Sequence, residues 1–217
     1  MIKDKTKDWE NIYRTQGIVQ SGILKTAVTA IDKCRSRNVK TILDLGCGTG
    51  RHTVFLAQNG FETYACDISQ TGLYITESRL KENNLNAHLS KNDFRNLNFP
   101  DEYFDAIICL WVSGHGHKND VNKHISEMFR AVKTNGLVFC DFISIDDDSF
   151  GKGTQIEHNT FINNDPLEAG IPHHFSTYEE LTQSFQLYSN INISRVEYHV
   201  GDSNDTKIKA FFVEAIK

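Results

Sequence analysis

The chain lacks any apolar run approaching the about 20 residues that a membrane-spanning helix needs. Its opening residues, MIKDKTKDWENIY, carry basic side chains with no apolar segment behind them. That is not the pattern of a secretory leader, and a cytoplasmic location without a membrane partner is expected. A basic excess is also missing. Lys and Arg number 23 against 28 Asp and Glu, for a net charge of −5, which disfavours nucleic acid as the partner, because binders of that polyanion carry a basic surface. The five cysteines, at 34, 47, 66, 109 and 140, form no CxxC pair and no metal-ligand spacing. Four lie in or beside apolar runs, so reduced, mostly buried thiols are expected. Repeats and low-complexity tracts are absent. What remains is an ordinary composition, 39% hydrophobic and 24% charged over 217 residues, enough for one sizeable core.

Periodicity places the elements. Helical spacing of Ile23, Leu24, Ala27, Val28 and Ile31 predicts a helix over 20–36. Short apolar runs predict strands at 41–45, 62–67, 87–90, 104–112 and 136–143, with helices at 51–59, 69–84 and 123–132 between them. Gly60 suits a C-cap, Ser69 an N-cap, and Asn135-Gly136 a turn. Alternating strands and helices predict a mainly parallel sheet with helices on both faces. A further helix is expected at 177–185, then two strands, 191–200 and 207–216, joined by GDSND as a terminal hairpin. The interval 146–176 shows no period, and connections of that length usually carry function. The expected organisation is one domain over 1–217, with a helical arm at about 1–20 and a lid-like insertion at about 146–176.

LDLGCGTGRH, Leu43 to His52, follows a strand and opens a helix. Its alternate glycines let backbone N–H groups approach a ligand. A dinucleotide fingerprint would need glycine at 51, where Arg51 stands, and a P-loop would need Gly-Lys-Ser/Thr. Asp67 ends the second strand 17 residues past Gly50, where an acid can accept both hydroxyls of a ribose. Asp44 adds a carboxylate that favours a ligand amine over a pyrophosphate. After the third strand, Asp93 can accept from an adenine amino group and Phe94 can pack near the ring. An amine, a ribose and an adenine without phosphate describe S-adenosyl-L-methionine.

These stretches, LDLGCGTGRH, CDIS and NDF, resemble the class I S-adenosylmethionine-dependent methyltransferases over nearly the whole chain. The resemblance implies a Rossmann-like three-layer α/β/α sandwich, its seven-stranded, mainly parallel sheet closed by an antiparallel C-terminal strand. It implies an enzyme using S-adenosyl-L-methionine as cofactor. Gly46 and Gly48 would lie against the methionine part and the ribose, with Cys47 a further donor-binding residue and Asp44 supporting the loop and, partly through water, the amino group. Asp67 would hold the ribose and Asp93 with Phe94 the adenine, with Ile68 and Leu110 as further donor-binding residues. DWENIY resembles arms that close over the donor in such enzymes, which makes Tyr13 and Arg14 donor contacts, Arg14 as partner of the methionine carboxylate. Trp9 either packs the arm or touches the donor.

Methyl transfer requires alignment of the nucleophile and exclusion of water, and a base where the acceptor carries a proton. The loop LWVSGHGHKND departs from the family pattern of leucine-tryptophan followed by Ser-Phe-Gly and an aromatic. Gly114 replaces an aromatic, which is expected to open room, and His115 and His117 flank Gly116. In related small-molecule enzymes the interval 146–176 forms a lid, and His173, His174 and Phe175 stand at its end. His115, His173 and His174 are therefore the catalytic candidates, with Asp141 expected to order the lid. No metal is expected, because no spacing among these residues forces convergence. The motifs of DNA amino-methyltransferases, cytosine C5 enzymes and protein arginine methyltransferases are missing after the central strand. A small-molecule acceptor methylated on N, O or S follows, with RNA or protein methylation and non-catalytic donor binding as alternatives. Monomer and homodimer are both compatible with the sequence.

Overall fold

The computed structural model describes residues 6–162, 168, 170–200 and 206–217. In chain order the elements are α1 (Thr6–Gln16), α2 (Lys25–Ser36), β1 (Thr41–Leu45), α3 (Arg51–Gln58), β2 (Glu62–Asp67), α4 (Gln70–Glu82), β3 (His88–Lys91), β4 (Phe104–Cys109), α5 (Lys118–Ala131), β5 (Val132–Ile143), β6 (Thr154–Glu157), β7 (Thr160–Ile162), β8 (Pro172–His174), α6 (Tyr178–Ser184), β9 (Asn190–Val200) and β10 (Thr206–Ile216). Among the described residues, no helix is long and apolar enough to cross a membrane.

Seven strands form one sheet in the order β3-β2-β1-β4-β5-β10-β9. Strands β1 to β5 pair in parallel, and β10 runs antiparallel to both β5 and β9. This is the expected sheet with its antiparallel C-terminal strand. Strand period 2 divides the apolar residues between its faces. Leu43, Ile107, Cys109, Val138 and Phe211 pack on one side with Ile125 and Met128 of α5 and Phe185 beyond α6. Ile42, Ala106, Ile108, Phe139 and Phe212 pack on the other with Ala30 and Ile31 of α2 and Leu56 of α3. The three layers follow. Continuous apolar runs such as FDAIIC are what a strand covered on both faces requires.

Several boundaries differ from the sequence expectations. The first core helix starts at Lys25, with Ile23 outside it and Val28 on its exposed face. The central strand stops at Cys109 because Trp111 takes a left-handed φ of 68°. Helix α5 begins at Lys118, five residues early, behind a capping box of His117 and Asp120. Asn135-Gly136 is no free turn: β5 runs through it with Asn135 at φ 63° and a register shift against β4. The 146–176 interval, without period in the sequence, contains a small antiparallel sheet, β6-β7-β8. The expected GDSND turn, 201–205, lies outside the described residues, as do residues 1–5 of the arm. All five cysteines are free and buried.

The start of the sheet is tied by one carboxylate. Asp105 Oδ2 accepts from the backbone N–H of Lys40 and of Thr41, both at 2.9 Å, and Oδ1 pairs with Lys133 Nζ at 2.7 Å. Burial opposes ionisation, but Lys133 and the two N–H groups outweigh it and hold the Asp105 carboxyl at about 2. The folded value lies below the unfolded one of about 3.9. The stabilisation is therefore full above about pH 4 and fades as pH falls toward 2. Asp105→Asn should cost about 1–2 kcal/mol at neutral pH and flatten the acid limb of stability in that window. Urea unfolding at several pH values checks this, and an unaltered acid limb would refute the role.

Candidate functional site

The carboxyl ends of β1, β2, β4 and β5 open onto one region, as they do in open α/β sheets. Two adjoining lobes of about 60 Å³ each share Trp9, Tyr13, Gly46 and Trp111 as walls. Asp67, Ile68, Asn92 and Phe94 line the first, and Cys47, Gly48, Arg51, His52 and Leu110 line the second.

The glycine loop shapes both lobes. Gly46 has φ 75°, and a Cβ there would lie 2.6 Å from Val112 Cγ2. Gly48 has φ 54°, and a Cβ would lie 2.7 Å from the Tyr13 hydroxyl. Only glycine admits both the backbone and the neighbour. Asp67 holds the loop from β2: Oδ2 accepts from Gly48 N–H and Oδ1 from Ser69 N–H, each at 2.8 Å. Each carboxylate oxygen retains a second acceptor direction. Burial raises the Asp67 carboxyl, against the lowering by the Ser69 and Gly48 N–H groups.

The remaining expected donor residues fall into two groups. Tyr13, Gly46, Cys47, Gly48, Asp67, Ile68, Phe94 and Leu110 line the lobes. Asp44, Asp93 and Arg14 do not. Asp44 is buried behind the loop, accepts from Thr53 Oγ1 at 2.6 Å, and is lifted by burial to about 6. It fastens β1 to α3. The Asp93 carboxylate is gripped by Arg95, with Arg95 Nε at 2.8 Å, so its neighbours Asn92 and Phe94 supply the wall. Arg14 lies on the exposed face of α1 and bonds Asn11 at 2.9 Å. The cation in the lobe is Arg51, the residue that breaks the dinucleotide fingerprint.

Helix α1 covers the lobes. Trp9 stacks on Tyr13 with ring centroids 5.7 Å apart and meets His115 edge-on at 4.9 Å. Glu10 fixes the helix to the start of α4, accepting from Ser69 Oγ at 2.7 Å, Thr71 N–H at 3.1 Å and the Thr71 hydroxyl. The Thr71 hydroxyl contributes most to holding the Glu10 carboxyl at about 2.

A third cavity, of about 220 Å³, adjoins both lobes through Trp111, with His115 and Val112 shared with the first and Glu168 with the second. Its walls also include Asp141, Ile143, His173, Tyr198 and Ala210. Asp141 accepts from Trp111 N–H at 2.7 Å and from the Tyr198 hydroxyl at 2.8 Å. Burial lifts its carboxyl to about 6 against those two bonds. Asp141 thus orders the loop after β4 and the β9 wall, where the sequence suggested the lid.

Two sequence-distant stretches meet here. Gly116 N–H donates to Pro172 O and His174 N–H to Gly114 O, both at 2.8 Å, so His115 and His173 form an antiparallel bridge. Gly114 lines this cavity, at the place where the family pattern has an aromatic. A Cβ there would lie 3.2 Å from Ile143 Cγ2 of β5 and in ordinary contact, 3.5 Å, with His174 O. The His115 and His173 rings lie 4.9 Å apart. His173 Nε2 is 2.7 Å from Glu168 Oε2, and His115 Nε2 is 3.9 Å from Glu168 Oε1. Burial alone would raise the Glu168 carboxyl, but the His173 bond and both imidazoles outweigh it and hold it at about 2. His174 is brought elsewhere. As the next strand residue it points to the other face, fully buried, with Nδ1 2.8 Å from Thr160 Oγ1 and Nε2 2.8 Å from Glu180 Oε1. Thr177 caps α6 by accepting from Glu180 N–H.

Sequence reasoning missed Glu10, Asn92, Arg51, His52, Glu168 and Tyr198. Arg51 was visible as the residue where glycine failed. Glu168 had no signal, since its segment has no period.

The comparisons agree with this architecture. Residues 42–136 match a family described as a methyltransferase domain. A putative methyltransferase YqeM of Bacillus subtilis (strain 168) is 30% identical over 143 residues, covering 65% of this chain and 56% of that protein. A glycine/sarcosine/dimethylglycine N-methyltransferase of Actinopolyspora halophila is 34% identical over 148 residues, covering 64% of this chain and 23% of that protein. The chain thus spans little more than half of the first relative and under a quarter of the second. The crystal structure of Burkholderia thailandensis 1,6-didemethyltoxoflavin-N1-methyltransferase, with 1,6-didemethyltoxoflavin and S-adenosylhomocysteine bound, superposes with TM-score 0.71. It covers 98% of this chain and 86% of that one at 14% identity, a likeness of fold.

Charge-assisted hydrogen bonds contribute about 1.5–3 kcal/mol, less at a half-exposed position. Glu10→Ala should therefore speed amide exchange across α1 roughly fivefold, with β1 and β4 unaffected. Equal exchange in α1 before and after the substitution would remove Glu10 as its latch.

Proposed function

Because this chain belongs to the class I S-adenosylmethionine-dependent methyltransferases, we propose that it transfers a methyl group to a nitrogen, oxygen or sulfur of a small molecule seated in the cavity beyond Trp111. The observation that carries this reading is the contiguity of the about 220 Å³ cavity with both smaller lobes through the Trp111 wall. That volume is below the about 300 Å³ at which pockets for drug-sized ligands begin, and β8 closes it over the sheet. It suits a metabolite better than a polynucleotide strand. The small-molecule names of two of the similar proteins support the same class of acceptor.

The donor lobes fit S-adenosyl-L-methionine on three counts. The glycine cradle has no room for a Cβ at 46 or 48. The buried Nε2 of His52, a lining residue of the second lobe, has no hydrogen-bond partner among the described residues. Asp67 keeps acceptor capacity toward the lobe it lines. When bound, the donor supplies an electrophilic methyl on a sulfonium. In this reading Asp67 receives the ribose hydroxyls, Phe94 and Ile68 hold the adenine, and Arg51 takes the methionine carboxylate that the sequence had given to Arg14. Tyr13 and Trp9 close the lobes from α1 and exclude water. Asp93 reaches the adenine only by releasing Arg95, so Asn92 is the nearer polar group.

On the acceptor side, transfer forms a bond from the acceptor atom to the methyl carbon and breaks carbon–sulfur, and any proton on the acceptor must leave. His115 and His173 face the cavity and handle that acceptor group. His174, with both ring nitrogens engaged behind β8, is a positioning residue. Asp141 and Tyr198 orient the acceptor from the opposite wall.

Asp67→Ala should weaken S-adenosylhomocysteine binding at least tenfold by calorimetry while the circular dichroism spectrum is retained. Unchanged affinity would remove Asp67 from the donor site. Incubation with S-adenosylmethionine and panels of small amines, phenols and thiols should release S-adenosylhomocysteine. Release with RNA or protein substrates alone would overturn the small-molecule reading.

A further inference from the structure

The antiparallel bridge does more than close the cavity. Directly opposed residues of such a bridge project to the same side, so His115 and His173 present their rings to one point. Ile171 N–H donates to Glu168 O at 3.1 Å, with Gly170 at φ 86°, and the Glu168 carboxylate stands at that point. One atom from each of the three residues lies within 4.8 Å of the other two.

The hydrogen bonding at His173 adds a chemical argument. Its Nδ1 lies 3.1 Å from the carbonyl of Ile171. A carbonyl only accepts, so Nδ1 carries a proton. In the neutral ring Nε2 then presents a lone pair, and 2.7 Å away stands a carboxylate oxygen. A proton on Nε2, or a cation held by both atoms, satisfies that approach. A ring N–H given to a backbone carbonyl is also the usual way a protein orients a metal-ligating histidine. Donors bound at about 2.1 Å to one ion stand about 3.4 Å apart in a tetrahedron and about 3 Å at right angles, and the Glu168 distances of 2.7 and 3.9 Å bracket both values.

We propose that His115, Glu168 and His173 form a divalent transition-metal site at the boundary between the donor lobes and the large cavity. Two imidazoles and one carboxylate suit zinc, manganese, iron or nickel. Such an ion keeps positions open, and here they face the cavity. An acceptor hydroxyl, thiol or amine bound there would lose its proton more easily, as water does on zinc. The role in transfer rests on the reading of that cavity as the acceptor site, whereas metal binding itself does not.

The test uses the full chain, stripped with EDTA and titrated with ZnCl2 and MnCl2 by calorimetry, with no donor or acceptor present. The native protein should bind one ion of at least one of the two metals per chain. His115→Ala, His173→Ala and Glu168→Gln should each weaken that binding at least tenfold, and His158→Ala, a control on the exposed lid surface, should leave it within twofold. S-adenosylhomocysteine binding, measured separately on each variant, reports that the fold and donor site survive. Its loss in the native protein would refute the methyltransferase reading and leave the metal result standing. Failure of the native protein to bind either ion stoichiometrically, or equal binding by Glu168→Gln, overturns the proposal. His173 would then be an imidazolium paired with Glu168.

Discussion

The site depends on two backbone hydrogen bonds, Gly116 N–H to Pro172 O and His174 N–H to Gly114 O. They join the loop after the central strand to the short strand β8. A second seam, Ser176 N–H to Ile143 O at 2.8 Å and Ile145 N–H to Ser176 O at 3.2 Å, fastens the end of the insertion to β5. Both seams hold the end of the insertion, residues 172–176, against the carboxyl edge of the sheet. Without them the large cavity would lack its β8 wall, and His173 and Glu168 would have no fixed relation to His115. The seams use backbone atoms, so side-chain identity enters only through what they tolerate. Gly114 is the clearest case, because a Cβ there would press on Ile143 Cγ2 at 3.2 Å while only touching His174 O at 3.5 Å.

How much of this was legible follows from the kind of interaction involved. The parallel strands were readable because both faces are buried, which leaves continuous apolar runs such as TILDL and FDAIIC. The glycine loop was readable because close backbone approach demands glycine at 46 and 48. Ser69 was readable as a cap because it accepts from Gly72 N–H at 3.0 Å. The β6-β7-β8 sheet was not, since strands of 4, 3 and 3 residues are too short to show alternation. Nor could the sequence say which of two adjacent histidines faces the cavity. Strand geometry sends His173 and His174 to opposite faces, and only the pairing partner decides which is which. Arg14 and Arg51 pose the same problem on helices. Ile12 and Tyr13 are buried, so Arg14 faces outward.

Trp111 shows how strain is put to use at the junction. A bulky residue at φ 68° is costly, of order 1–3 kcal/mol. The cost is offset by Asp141, which accepts the Trp111 N–H, and by Tyr198, whose ring meets the indole edge-on at 5.2 Å. Ending β4 in this way turns the chain so that one residue borders all three cavities. A regular strand through Val112 would have run past the site instead.

The electrostatics of the region point to the charge of what it holds. Asp44, Asp67 and Asp141 are all buried at the carboxyl end of the sheet. Burial pushes each carboxyl upward, Asp44 and Asp141 to about 6. Each is kept by local donors, Thr53, the Gly48 and Ser69 amides, and Trp111 with Tyr198. Arg51, itself pulled down by burial, is the cation acting on both Asp44 and Asp141. One guanidinium against three buried carboxylates leaves the region short of positive charge. Hydrogen bonds from neutral groups stabilise carboxylates without cancelling their field. A ligand whose ammonium and sulfonium outweigh its single carboxylate relieves that deficit in the lobes, and a divalent ion relieves it at Glu168. A pyrophosphate would deepen it. The same field therefore disfavours a dinucleotide on this loop, independently of the glycine that Arg51 replaces.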